Sequence, residues 1–261
     1  MTDILSIEKL KDSEKFHKEI CYFFNDIVAT KAIERVNNYF AYKRLAKLSR
    51  DAEPLPVDPR QLSSYRTRLG TMLEYAISTE IQNILKEEYK EELYLTFAVV
   101  HEYPDFYLRD KDLKKILKIE MKAVDADSDE QGARFDVLSR DIDPKRDLLL
   151  FVCWVWKNEK LPSGEDWEHP TIFAHLVTPA IEIATERDRR LIEIGGKIEG
   201  DRILVPSTKN PGTFVDDPGN YGKFWRIIKK NRRESNELTE YIKLFLEFQK
   251  KVDKKSPRNR F

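Results

Sequence analysis

The sequence predicts an α/β protein, in which strands and helices alternate through a core and further helical segments stand at the two ends. Three observations carry that prediction. Residues 69–85 place apolar side chains at helical spacing, 115–124 alternate apolar and charged residues, and 148–156 form an unbroken apolar run. The first pattern has the period of a helix and the second that of a strand, so both element types are required.

The elements follow in order. From residue 7 to about 48 the pattern is helical, with Phe16, Ile20, Phe23, Phe24 and Ile27 on one stripe and Ile33, Val36, Phe40 and Leu45 on another. Two packed helices are expected there. Pro54, Pro56 and Pro59 then break helix, which makes 52–59 a linker. The chain is accordingly divided into a helical N-terminal segment with its linker, 1–60, and a core, 61–261.

Within the core, Leu69, Met72, Leu73, Ala76, Ile77, Ile81, Ile84 and Leu85 line one helix face. A strand is expected over 93–100. Pro104-Asp105 opens a turn, and 115–124 is a strand with one buried face. Residues 130–138 are expected to run from a loop into a helix. The 148–156 run fits a strand buried on both faces, 171–177 a further strand, and 191–194 with 202–205 a small hairpin around Gly195-Gly196. Residues 206–221, rich in Gly, Pro, Asn and Asp, are expected as a long loop. Leu238, Tyr241, Ile242, Phe245, Leu246 and Phe248 make 236–252 an amphipathic helix.

Composition sets outer bounds. Of 261 residues 41% are hydrophobic, with 14 Phe, 11 Tyr and 4 Trp, enough for a substantial core. The 148–156 run is too short to cross a bilayer and nothing resembles a signal peptide, so no membrane association and a cytoplasmic location are expected. Cys21 and Cys153 lie far apart in apolar settings, as buried thiols would. His17, His101, His169 and His175 lack metal-ligand spacing. The net charge of +0 creates no global field toward nucleic acid. Local basic clusters stand at 187–190, 229–233 and 250–260, each equally explained as a solvated face or a frayed terminus.

The chemistry-bearing residues are Asp105, in Tyr103-Pro104-Asp105-Phe106, and Glu120 and Lys122, in Ile119-Glu120-Met121-Lys122. Side chains alternate along a strand, so Glu120 and Lys122 share a face and Met121 points the other way. Two carboxylates of this kind can hold a hard divalent cation such as Mg²⁺, which takes oxygen ligands and keeps positions for water and a substrate phosphate. Lysine stabilises developing negative charge or, with a lowered pKa, helps deprotonate the attacking water. Met121 would enter only through its backbone carbonyl, as a further metal ligand. The plainer reading is an amphipathic edge strand with solvated charges, in a chain that is 35% charged.

Helix, strand, PD, ExK and a further apolar strand, in that order, resemble the PD-(D/E)XK nuclease superfamily, closest in style to its type II restriction-endonuclease branch, over about 69–177. The resemblance implies a restriction-endonuclease-like core with a central mixed β-sheet flanked by helices. It implies Asp105 and Glu120 as metal ligands, Lys122 as the catalytic lysine and Glu74 as an acidic residue from the preceding helix. It also implies an Mg²⁺-dependent, sequence-specific endonuclease acting on double-stranded DNA, most simply as a homodimer with one site per strand. In such an enzyme Lys209, Asn210, Asn220 and Lys223 would offer donors to bases or phosphates. The alternatives are a repair or junction-resolving nuclease of the same superfamily and a non-catalytic DNA- or protein-binding module.

Overall fold

The computed structural model describes residues 5–12, 17–42, 59–90, 92–99, 103–126, 134–160, 162–164, 166–216, 222–223, 227 and 238–255. Five strands form a mixed sheet in the order of the chain: β1 (Leu93–Phe97), β2 (Phe106–Asp110), β3 (Lys115–Asp125), β4 (Asp147–Lys160) and β5 (Asp166–Pro179). All neighbours pair antiparallel except β3 and β4, which run parallel, with Lys118 opposite Asp147 and Asp125 opposite Trp154. A parallel pair needs a long crossover, and residues 126–146 supply it.

The unbroken apolar run became the central strand for the expected reason. Leu148, Leu150, Val152 and Trp154 face one hydrophobic core, while Leu149, Phe151 and Cys153 face another. Each such side chain, fully buried, contributes roughly 1.5–3 kcal/mol. The first core is closed by α1 (Ile7–Lys11), α2 (His17–Tyr22), a π-helical turn (Phe23–Ala29), α3 (Thr30–Tyr42) and the long α4 (Pro59–Tyr89). The second is closed by α5 (Ala180–Glu193) and α6 (Glu240–Lys255).

The outer edge of β5 is covered by asparagines from the helical layer. Asn37 donates to the Ile172 carbonyl and accepts from its N–H, both at 2.8 Å, and Asn25 accepts from the Val177 N–H at 2.9 Å. At Ile172 and Val177 the edge is thereby closed to pairing with another strand.

Several expectations are corrected. The N-terminal segment is a short α1 followed by one continuous helical run over 17–42. Pro59 belongs to α4 as its first residue, where a missing N–H costs nothing; the rest of the linker lies outside the described residues. Met72, expected on the buried face of α4, is 37% exposed. Residues 135–138 are extended and end in a single 3-10 turn, Ser139–Asp141, instead of a helix.

Leu191 and Glu193 complete α5, so the small hairpin forms one step later. Its strands are β6 (Lys197–Glu199) and β7 (Arg202–Pro206), with Gly200 at the turn in the left-handed region (φ 55°). A third strand, β8 (Phe214–Asp216), pairs with β7, so part of 206–221 is a second hairpin. Cys21 and Cys153 are buried and not joined in a disulfide, as expected. Among the described residues no helix is long and apolar enough to cross a membrane.

Candidate active site

The site lies where β2 leaves the sheet. β2 pairs with β3 only as far as Phe106 opposite Ile119, yet β3 continues to Asp125. Along this last stretch alternate N–H groups of β3 have lost their strand partner, and buried backbone donors must be answered somehow. Two carboxylates answer them. The Met121 N–H donates to Asp105 Oδ2 at 2.8 Å, and the Ala123 N–H hydrogen-bonds the carboxylate of Glu74, about two α4 turns from Arg66, which pairs with Asp125 at 3.0 Å. The Asp105 N–H in turn donates to Glu120 Oε2 at 3.1 Å.

Glu120, Lys122, Asp105 and Glu74 therefore meet on one wall of a cleft of about 660 Å³. Lys122 forms an ion pair with Glu120. Glu120 is 7% exposed and so is no solvated strand residue: β4 pairs with β3 from Lys118 to Asp125, and past the end of β2 Glu120 is enclosed by the Asp105 N–H and Lys122. Met121 sits at 1% exposure on the opposite face, packed into the first core, so the predicted alternation holds. A strand residue presents its N–H and C=O to the same edge. The Met121 carbonyl thus opens on the Asp105 side.

The electrostatics follow from burying like charges together. Burial, then the Asp105 charge, push Glu74 from 4.5 up to about 7, with Lys122 opposing. Burial also raises Glu120, against the pull of Lys122. For Lys122 burial works downward, but the charges of Glu120, Asp105 and Glu74 overcome it and hold the ammonium above its ordinary range. Lys122 is therefore a cation here, suited to stabilising negative charge and unsuited to taking a proton.

The turn carrying Asp105 is anchored from behind. Tyr103 donates to Asp147 Oδ2 at 2.7 Å, and the same oxygen receives the Asp143 N–H at 2.9 Å and Lys118 Nζ at 3.3 Å. Asp147 Oδ1 has no partner among the described residues. Burial raises both Tyr103 and Asp147 above their usual ranges, so the tyrosine stays a donor. Sequence reasoning missed both: Asp147 carries no motif, and Tyr103 only adjoins one. It also missed Asp136, which lines the cleft from the crossover.

That crossover is clamped. Arg187 is 1% exposed and donates to the carbonyls of Phe135 at 3.1 Å and Val137 at 2.7 Å, while pairing with Asp188 at 2.6 Å. The Phe135 N–H donates to the Gly222 carbonyl at 2.7 Å, and a Cβ on Gly222 would meet the Phe135 oxygen at 2.1 Å, so only glycine fits. The cluster 187–190 is thus no open basic face. Arg187 is buried, and Arg189 pairs with Glu186 and Glu193.

The expected DNA-contacting residues are scattered. Lys209 and Asn210 are exposed in the β7–β8 turn, with their N–H groups on Ser207 Oγ, and neither lines the cleft. Lys223 is half-buried in a bridge with Arg134, beside the crossover segment that borders the cleft. Asn220, His101 and the 229–233 cluster lie outside the described residues.

Among the described residues no three Asp, Glu, His or Cys side chains close on one point as a ready metal cage. Mg²⁺ does not require one, since it is held by one or two carboxylates together with waters and phosphate oxygens. Asp105, Glu120 and the Met121 carbonyl fit it as an oxygen-only donor set. Comparison with protein-family models and with the curated proteins finds no match.

Proposed function

We propose that this chain is an Mg²⁺-dependent deoxyribonuclease of the PD-(D/E)XK kind, with a restriction-endonuclease-like core, cutting double-stranded DNA at specific sequences. The observation that carries the proposal is the convergence of Asp105, Glu120, Lys122 and Glu74 on the open edge of β3, facing one cleft. Asp105, Glu120 and the Met121 carbonyl would hold Mg²⁺. When bound, the ion acidifies a water and neutralises phosphate charge.

The chain's own groups do the rest. Asp105 is aimed by its bond from the Met121 N–H and by the Tyr103 anchor. Lys122 places its ammonium beside the carboxylates, where a phosphate would gain charge on attack. Glu74, poised near pH 7, is able to accept a proton from water at the edge of the site. A homodimer would place one such site on each DNA strand, and a cytoplasmic enzyme of this type would require a companion that protects host DNA.

Incubation of plasmid DNA with the full chain in Mg²⁺ tests this. Discrete fragments support a sequence-specific endonuclease. Nicks confined to distorted DNA favour the repair-type alternative, and intact DNA leaves a binding module. Asp105→Ala and Glu120→Ala should abolish cleavage, whereas binding in Ca²⁺ should largely survive in at least one, because phosphate contacts elsewhere supply most of the affinity.

A further inference from the structure

One rim of the cleft is unlike the rest. Tyr75 and Phe97 are 55% and 48% exposed, their rings 4.7 Å apart between centroids, and Phe97 lies 4.9 Å from Phe106 behind it. Isolated exposed aromatics are common, but here two share a ridge that drops directly to Glu74, Asp105 and Lys122. Beyond Phe97 the ridge borders a depression of about 180 Å³ bearing the polar side chains of Ser78, Thr79 and Asn83.

Resting on the metal-dependent nuclease chemistry proposed above, but taking the repair-type substrate in place of a fully paired recognition site, we infer that the strand being cut presents an unpaired base to the Tyr75–Phe97 ridge, next to the scissile phosphate. The chemistry separates the two parts of a nucleotide. Phosphate belongs with Lys122 and the metal donors; among the described residues the ridge carries no cation and offers ring faces. A base has such a face, and stacking on exposed aromatics is how unpaired strands are held without regard to sequence. Inside a duplex both faces of a base are already covered by its neighbours. Only a base taken out of the stack can occupy the ridge, at an opening cost that is least where pairing is already absent.

The test compares a splayed-arm DNA with a blunt, fully paired duplex of the same sequence, using the full chain. Cleavage is followed in Mg²⁺ and binding in Ca²⁺. The parent protein should bind and cut beside the unpaired arm at least about tenfold better than the paired DNA. Tyr75→Ala and Phe97→Ala should each lower kcat/KM on the armed DNA by about tenfold to a hundredfold. Tyr75→Phe should keep the preference, and Phe97→Leu, apolar but without a ring face, should lose it. Phe97→Ala also gives up packing on Phe106 and should melt somewhat lower, so Phe97→Leu, which keeps most of that apolar contact, separates loss of the ring face from loss of stability.

Equal use of the two DNAs by the parent, or alanine variants at the parent rate, would overturn the inference and leave the nuclease reading intact. A dimer that Tyr75→Ala renders monomeric would assign the ridge to a second copy and overturn it as well. Failure to cut any DNA removes the nuclease reading, and this inference with it.

Discussion

Replacing Glu74 with Gln removes a carboxyl that the fold keeps protonated well above its ordinary range. Displacement from 4.5 to about 7 corresponds to roughly 3 kcal/mol between the two protonation states. The folded pKa is raised, so the native state holds the proton more tightly. Its stabilising contribution is complete below about pH 4.5 and is lost as pH rises to about 7, beyond which it is constant. The groups facing Glu74 are Asp105, Glu120 and Lys122, and Glu120 shifts in the same direction, so the parent and Glu74→Gln must be compared at each pH. In EDTA the variant should gain on the parent by roughly 2–3 kcal/mol between pH 4.5 and pH 8, a relative rise of about 5–10 °C for a chain of this size. Both proteins keep the Mg²⁺ donors, but at pH 8 the ion should stabilise the parent more, because it also offsets the Glu74 charge, and so narrow that difference. Melting curves with parallel pH dependence for the two proteins would refute the account, because Glu74 would then titrate as an ordinary surface glutamate.

Other perturbations separate catalysis from folding. Lys122→Ala should lose cleavage, and because it leaves the buried Glu120 carboxylate without its cation its melting temperature should fall in EDTA and recover in part with Mg²⁺; Lys122→Arg should fail too, since guanidinium is larger and geometrically different, and parent-rate cutting by Lys122→Ala would end the site assignment. Met121→Leu, on the opposite face, should cost less than about 1.5 kcal/mol and still cut, as measured by denaturation and plasmid assay. Tyr103→Phe should destabilise by about 1–3 kcal/mol by leaving Asp147 short of a donor, and should lower kcat through the loosened Asp105 turn; chemical denaturation and single-turnover rates check both. Arg187→Ala should cost about 3–5 kcal/mol by leaving Asp188 and two carbonyls unanswered, whereas a phosphate contact would instead flatten the salt dependence of DNA binding.

Residues whose roles follow from local periodicity were legible. The alternation through Ile119, Glu120, Met121 and Lys122 placed the last three correctly because a strand's faces depend on nothing beyond itself. The double burial of 148–154 was equally local, since no alternation means no solvent face. Asp105 belongs to the site by its turn beside the strand and Glu74 by the resemblance alone, but their bonds to the N–H groups of Met121 and Ala123 arise where β2 ends. Arg187 illustrates the limit. A run of Arg187, Arg189 and Arg190 looks like a basic surface until the carbonyls of Phe135 and Val137, some fifty positions earlier, fold against it. Helix α5 itself was hidden for a similar reason: it buries Glu186, Arg187 and Asp188, so its polar side chains blurred the apolar stripe.

The open edge of β3 has a practical consequence for anyone preparing inactive protein. Asp105 and Glu74 cover the N–H groups that β2 abandons, as Asn25 and Asn37 cover those of β5. Alanine at both carboxylates would bare a short strand edge with unanswered donors, the geometry from which chains join edge to edge and come out of solution. Asn at 105 and Gln at 74 keep an amide oxygen to receive those donors while surrendering the charge. Inactive protein made with the amides should therefore remain monodisperse on concentration, and the double alanine should self-associate.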